Sequence, residues 1–474
     1  MGEVQDFGLI CLIVAGGFSL AIGLSKLTER FPVPAPALFL LVAAVASDVF
    51  PGLNVLSEQA VGRIGVVALI VILFDGGMRV GWRRFRDSAA EISVLGVFGT
   101  FATAGVMTLL AHALFDFGWT TAGILGAALA PTDPAVMFSV LGKREIRGRS
   151  GTILEGESGG NDPVAIALML GMLELAKSGN ASFWVVVKEF AVQMSVGLAV
   201  GVLGGVLVIQ LMRRITLPSE ALYPLRTLAL AGIVYGIAAV AHGSGFLAVF
   251  IAGLAIGDRR APYKGDIERF HTSLASLAEI VVFAALGLTF HFSDLAHHNV
   301  WLDGILLTIL LALVARPLTV GPMLLPFRLR WGERIFIVWG GLKGAVPILL
   351  GTFAVIQGVH DGTRIDNIVV VVVFLSVLVQ GTSMPFVAPL LGIPMRAAPS
   401  HGVQRLKVAA DSRVAGQSIR SLPLSEHTWV HEVLRSGSVL DPSGALVLQP
   451  GDEVALILDV EDARSLERLF GAQS

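Results

Sequence analysis

Residues 119–141 read WTTAGILGAALAPTDPAVMFSVL and residues 152–175 read TILEGESGGNDPVAIALMLGMLEL. Each run has the length and apolar content of a membrane span, and each carries an acid near its middle, Asp133 in the first and Asp162 in the second. A helix of about 20 apolar residues crosses a hydrocarbon core of about 30 Å. A charge at its centre costs about 2.5–3.5 kcal/mol on insertion scales, so an acid placed there marks an ion pathway by default. Pro131 and Pro134 flank Asp133; they remove two backbone donors, break the helix around the acid and free carbonyls that can face a cation. In the second run, four-residue spacing stacks Glu157 over Asn161 and Ser158 over Asp162 on adjoining stripes. Two acids at similar depth on consecutive spans, with the Thr132 and Ser158 hydroxyls beside them, make an oxygen-rich cage suited to a hard monovalent cation at Asp133 and Asp162.

The rest of the chain repeats this apolar character. Of 474 residues, 54% are hydrophobic and 15% charged, with a mean hydropathy of +0.77, far from the composition of a soluble domain. Thirteen candidate spans lie near 7–25, 33–48, 60–78, 90–115, 119–141, 152–175, 183–212, 225–241, 244–257, 271–292, 302–325, 334–358 and 366–392. Alternate loops hold twenty Lys and Arg against four in the opposite set, which are Arg63, Lys177, Lys188 and Arg364. By the positive-inside rule the N-terminus is external and the C-terminal tail cytoplasmic. Residues 225–257 decide the parity: read as one helix they would reach about 50 Å at 1.5 Å per residue, too long for one crossing. Gly243-Ser244-Gly245 supplies a turn, so two spans are expected.

The net charge of −2 gives no field for nucleic acid. A single cysteine, Cys11, excludes an internal disulfide and a cysteine-based metal cluster. Glu3 and Asp6 precede the first apolar run, which lacks a basic leader and is read as a retained span.

Four further charges fall inside spans: Asp75, Glu279, Arg316 and Lys343. Lys343 stands in Gly340-Gly341-Leu342-Lys343-Gly344-Ala345-Val346-Pro347, a second Gly- and Pro-interrupted span that mirrors the one at Asp133. Paired interruptions in two halves suggest inverted repeats that cross at the midplane. Lys343 and Arg316 are read as counter-charges for acids and half-helix ends. His112, His242, His291, His297 and His298 fall in or near external loops and receive no role.

After Pro394 the composition changes. The expected organisation is a transmembrane domain over 1–394, a linker over 395–402 and a small α+β domain over 403–474. Within the last, Gln404 to Ala410 and Glu453 to Leu458 read as strands, Gln449-Pro450-Gly451-Asp452 as a turn and Glu461 to Phe470 as an amphipathic helix.

Pro131-Thr132-Asp133-Pro134, Glu157-Ser158-Gly159-Gly160-Asn161-Asp162-Pro163 and Gly341-Leu342-Lys343-Gly344-Ala345 resemble the sodium/proton exchanger family in its Asn-Asp branch, over about residues 7–392. The stretch 245–254 and Ala315-Arg316-Pro317 extend the likeness. The resemblance implies an all-α polytopic fold of about 13 helices with inverted repeats and two crossed, broken helices, and a homodimer in membrane lipid. It also implies electroneutral exchange of one cation per proton. By the same likeness Asp162 is the alternating carrier of cation and proton, with Asp133, Thr132 and Ser158 as further ligands. Asn161, Glu157, Arg316, Lys343 and Asp75 are organisers, Arg316 paired with Glu157. The branch usually has Arg where this chain has Lys343, so a point charge replaces a bidentate one. The tail, with its Leu-Gln-Pro-Gly-Asp-Glu-Val turn, resembles the C-terminal regulatory (TrkA-C-like) domain of potassium-transport proteins. That likeness favours K+ over Na+ and implies a small-molecule or nucleotide effector on the tail; no resident cofactor is expected. The membrane implied is a bacterial inner membrane.

Three other readings make different chemical demands. Gly156-Glu157-Ser158-Gly159 fits the Gly-x-Ser-Gly of intramembrane serine proteases, but no histidine base lies at matching depth in a later span. A potassium channel needs a carbonyl filter of Thr-Val-Gly-Tyr-Gly type, and no such segment exists here. A Na+(Li+)/H+ antiporter of the same fold stays open, because K+ and Na+ share their ligand chemistry.

Overall fold

The computed structural model describes residues 16–17, 19, 23, 34–50, 56–133, 137, 144–146, 148–177, 184–259, 263–290, 292, 300–397, 402–422, 424, 428–435, 438–440, 442–458 and 470. The chain divides into a transmembrane unit, Met1–Gly142 with Ile146–Met395, and a C-terminal unit, Arg396–Ser474 with Lys143–Glu145.

The transmembrane unit is helical. Its elements are α1 (Ala35–Val49), α2 (Glu58–Asp87), α3 (Ala89–Leu114), α4 (Trp119–Leu129), α5 (Arg149–Lys177), α6 (Trp184–Arg214) and α7 (Leu222–Val240). There follow α8 (Gly245–Gly257), α9 (Lys264–Leu288), α10 (Val300–Met323), α11 (Trp331–Trp339), α12 (Ala345–Ile356) and α13 (Gly362–Leu390). Seven of these, α2, α3, α6, α7, α9, α10 and α13, are long and apolar enough to cross a membrane. Twelve of the thirteen expected spans are occupied by helices or helix pairs; the first, 7–25, with Cys11, lies outside the described residues but for four scattered positions. His291, His297 and His298 also lie outside them.

The stretch 225–257 is two helices. His242 adopts a left-handed φ of 58° between them, and Ser244 opens α8 by accepting the amide of Leu247 at 3.2 Å, an N-cap that satisfies one orphan donor. Lipid offers no hydrophobic drive between helices, so close backbone approach has to supply the packing. Gly197 and Gly201 of α6 do this against Ser244 and Ala248 of α8. Where α2 crosses α8, a methyl group on Gly253 would stand 2.5 Å from the carbonyl of Phe74.

Among the described residues three helices contain a π segment, at Val94–Gly99 in α3, Leu311–Ala315 in α10 and Ser376–Gly381 in α13. Such segments leave carbonyls and side chains aimed off the regular ladder and recur at functional sites. All three adjoin the site described below: Gly96 lies against the backbone of Glu157 and Asn161, Ala315 precedes Arg316, and Ser376 accepts the Lys343 amide.

The C-terminal unit holds an antiparallel sheet in the order β1-β4-β2-β3, with β1 Gly402–Lys407, β2 Trp429–Arg435, β3 Ser438–Leu440 and β4 Glu453–Leu458. Gln404 faces Leu456 across β1 and β4. The turn at 449–452 closes through the Asp452 amide onto Gln449 O at 3.0 Å, with Gly451 at φ 93°, a conformation that favours glycine. Leu406, Val408, Val414, Val433, Leu448, Val454, Leu456 and Phe470 form its apolar core. The first strand stops at Lys407 instead of Ala410, because Val408 donates to Asp452 O and Ala409 to Phe470 O outside the ladder. Of the helix expected over 461–470, only Phe470 lies within the described residues.

Candidate ion-binding site

The broken spans meet. α4 ends at Leu129, and the following residues Ala130 to Asp133 are non-helical; α11 ends at Trp339, and α12 restarts at Ala345. The amide of Asp133 donates to Leu342 O at 2.8 Å, joining one interruption to the other. Gly344 lies so close that a Cβ there would overlap the Asp133 carboxylate; the crossing needs a glycine at that point. The second half of the first broken span, 134–143, falls outside the described residues except for Met137.

A helix that stops inside a membrane leaves carbonyls without donors. Each of the two stops is met by a buried cation. Lys343 Nζ donates to the carbonyls of Ala130 at 3.0 Å and Pro131 at 2.9 Å, closing the end of α4. Arg316 Nε donates to Val338 O at 3.1 Å, and its Nη2 to Ile337 O at 3.3 Å, closing the end of α11. Gln380 Nε2 adds a bond to Trp339 O at 3.2 Å. Arg316 also grips Glu157, 2.9 Å from one carboxylate oxygen and 3.1 Å from the other. Gly341 makes room for it, since a Cβ there would overlap the guanidinium.

Between these clamps stand the ligand candidates: Thr132 at 4% exposure, Ser158 at 7% and Asp162 at 5% are buried and Asp133 is half-buried, with the organiser Asn161 at 1% beside them. Asn161 Nδ2 donates to Thr132 Oγ1 at 2.7 Å, which ties α5 to the first interruption. Among the described residues, Asp162 Oδ1 and Asn161 Oδ1 find no donor. Pro163 follows at once inside α5; lacking an N–H, it cannot donate to the carbonyl of Gly159. The interior therefore presents oxygens in excess of donors, the balance a cation site requires.

Of the expected site residues, the structure brings Thr132, Asp133, Asn161 and Lys343 to the crossing, with Ser158 and Asp162 alongside on α5 and the Glu157–Arg316 pair at the end of α11. Asp75 instead takes its partners from Arg79, at 2.5 Å, and Thr272 of α9, at 3.0 Å. Ser376 and Gln380 were not anticipated. Ser376 Oγ accepts the Lys343 amide at 3.1 Å and donates to Gln380 Oε1 at 2.6 Å, so the π segment of α13 supports the second interruption. Their signal was present: two polar residues four apart in an apolar span. As for a protease, His112, His271 and His360 are engaged by Phe117, Thr227 and Asp361, and among the described residues Ser158 has no histidine partner.

In the C-terminal unit, Arg435 donates from Nε and Nη2 to both oxygens of Asp452, each at 2.8 Å. The Arg435 bonds hold the Asp452 carboxyl below the usual carboxylate range.

The chain matches known proteins along most of its length. Residues 17–389 match the family model for the sodium/hydrogen exchanger, transmembrane, and residues 403–471 match the TrkA-C domain. The K(+)/H(+) antiporter NhaP of Alkalimonas amylolytica is 36% identical over 388 residues, covering 81% of this chain and 67% of that protein. The K(+)/H(+) antiporter NhaP2 of Shewanella sp. strain MR-4 is 30% identical over 488 residues, covering 99% and 84%. The solved structure of the sodium proton antiporter MjNhaP1 from Methanocaldococcus jannaschii at pH 8 superposes with a TM-score of 0.68 at 21% identity, over 83% of this chain and all of that one. The chain is a multi-pass membrane protein that belongs to the sodium/hydrogen exchanger family and carries a TrkA-C domain behind its membrane part.

Proposed function

We propose that this protein is a secondary antiporter that exchanges K+ for H+ across a bacterial inner membrane, with its N-terminus periplasmic and its TrkA-C domain cytoplasmic. The observation that carries the reading is the pair of unsatisfied oxygens, Asp162 Oδ1 and Asn161 Oδ1, enclosed beside Thr132 at the crossing of two broken spans. A membrane interior tolerates such oxygens when a cation or a proton visits them. The antiporter relatives, both named for K+ and H+, support the choice of ions.

The mechanism follows from competition. Asp162 takes either a cation or a proton, with Asp133, Thr132 and Ser158 as further oxygen ligands for the cation. A bare carboxylate is costly to move past the apolar wall of the bundle, whereas either ligand neutralises it. Rocking of the core is then allowed only in a loaded state, each ion is carried in exchange for the other, and no ATP is used. Glu157 and Arg316 cancel each other, and Lys343 is committed to backbone carbonyls. The charge that changes during the cycle is therefore that of the ligand site alone, which supports one cation per proton and electroneutral exchange. The working unit is a homodimer, and the C-terminal domain tunes it in response to a small-molecule or nucleotide effector.

The second reading is Na+(Li+)/H+ exchange at the same site, since an oxygen cage accepts each of these ions and selects by size. Purified protein in pH-loaded liposomes decides between them: K+ added outside drives proton flux reported by a pH dye if the first reading holds, and Na+ or Li+ alone does so if the second holds.

A further inference from the structure

Residues 369–380 of α13 read VVVVVFLSVLVQ, an apolar run broken only by Ser376 and Gln380. Both are buried, Ser376 at 1% exposure and Gln380 at 5%, where a polar group without partners is costly. Their partners therefore state what they are kept for. The Ser376 hydroxyl gives its one proton to Gln380 Oε1 at 2.6 Å and accepts the Lys343 amide at 3.1 Å. The other end of the Gln380 amide, Nε2, donates to Trp339 O at 3.2 Å. Trp339 Nε1 donates to Ser383 Oγ at 2.9 Å, and Ser383 Oγ donates to Gln380 O at 2.7 Å. α13 thus grips both sides of the break between α11 and α12, Trp339 before it and Lys343 after it.

The grip reaches the ion site through one peptide unit. The Leu342–Lys343 peptide gives its N–H to Ser376 and accepts the amide of Asp133 on its carbonyl at 2.8 Å. A peptide unit is planar and stiff, so the place of Ser376 is passed to the backbone of Asp133. Thr132, the residue before, is held from another helix: its Oγ1 accepts Asn161 Nδ2 of α5 at 2.7 Å. Two neighbouring ligand residues are therefore tied to two different helices, Thr132 to α5 and Asp133 to α13. Na+ and K+ share their ligand chemistry, and a cage of oxygens selects between them by its width and its freedom to contract. A cage braced from both helices resists closing on the smaller ion.

We propose that Ser376 and Gln380 determine the ion specificity of the exchanger: through the Leu342–Lys343 peptide they hold the Asp133 side of the cage away from the α5 side, at the width of the larger ion, K+. The proposal rests on the K+ exchange reading and deepens it. Both side chains act on the ion through Asp133 and are positioning residues. Without the Ser376 hydroxyl the Leu342–Lys343 peptide loses its hold on α13, and Asp133 can follow a smaller ion inward. The site then gains Na+ at the expense of K+.

The test compares wild type, S376A, S376T and Q380L, full length in liposomes, with K+ and then Na+ as the probe and a pH dye as the readout. The quantity read is the KM for K+ divided by the KM for Na+. S376A raises that ratio about tenfold over wild type, or about 1.4 kcal/mol, with kcat for each ion within about twofold. S376T, which keeps the hydroxyl, stays at the wild-type ratio. Q380L, which takes the acceptor from that hydroxyl, raises the ratio about threefold, or about 0.65 kcal/mol. An unchanged ratio in S376A overturns the proposal, as does a loss shared equally by both ions, the pattern of a residue that only braces the fold. If S376A does not assemble, Q380L decides by the same ratio. A wild type that exchanges neither ion, or Na+ alone, marks failure of the K+ exchange reading itself, and the specificity role falls with it.

Discussion

Arg316 holds Glu157 at 2.9 and 3.1 Å inside the membrane, and both side chains are at most 3% exposed. The same guanidinium closes the carbonyls of Ile337 and Val338. One cation thus balances an acid and ends a half-helix. Removing one partner of such a pair strands the other, at a cost of about 3–5 kcal/mol. Arg316→Met should therefore lower the melting temperature of the detergent-solubilised protein sharply, and Arg316→Met with Glu157→Leu should recover most of it. Fluorescence-detected gel filtration after heating reads both.

Thr132 and Asn161 form the link between the first interruption and α5, at 2.7 Å. Thr132→Ala removes a cation ligand and leaves Asn161 Nδ2 without its acceptor, which costs about 1–3 kcal/mol. Steady-state exchange should show a KM for the cation raised about fivefold or more (about 1.4 kcal/mol per tenfold), while Thr132→Ser stays near wild type.

The ammonium of Lys343 is spent on the carbonyls of Ala130 and Pro131. Lys343→Met leaves both carbonyls without a side-chain donor, with an expected loss of about 1–3 kcal/mol in stability. Lys343→Arg keeps the charge. Its exchange should remain insensitive to a voltage clamp set with a potassium-independent ionophore; a flux that follows the clamp would show that Lys343 takes part in the charge that moves.

Asp452 and Arg435 supply the pH dependence of the C-terminal unit. The folded carboxyl lies below its unfolded value of about 3.9. The stabilisation is thus fully present above about pH 4 and is lost as pH falls through the lower, folded value. Pepsin should spare residues 402–458 of the full-length protein near pH 5 and cut them progressively below pH 4. Asp452→Asn, which forfeits the charge-assisted bonds, should be cut at both.

The membrane architecture was legible because it rests on few physical demands. Apolar length, loop charge and the expense of Asp133, Asp162, Arg316 and Lys343 inside spans locate the helices and their breaks. The pairing of Arg316 with Glu157 also matches the contact found. What escaped depends on geometry that composition does not encode. A π segment differs from an α turn only by an i→i+5 bond, so the polar pair Ser376 and Gln380 is visible in the apolar span while the π geometry that brings Ser376 to the Lys343 amide is not. Strand β2 was missed because its register shifts between Val430 and Glu432, which breaks the alternation that reveals a strand. Asp75 reads from sequence like any intramembrane acid, and only the helix packing shows that Arg79 and Thr272 hold it.

The central claim is that Asp162 carries both ions in turn, and Asp162→Asn tests it most directly. Wild type and variant would be reconstituted at equal amounts in pH-loaded liposomes, and K+-driven proton flux recorded after gel filtration confirms that both are folded. The account predicts robust exchange by wild type and none by Asp162→Asn, at any K+ concentration. Exchange by the variant at the wild-type rate would contradict it.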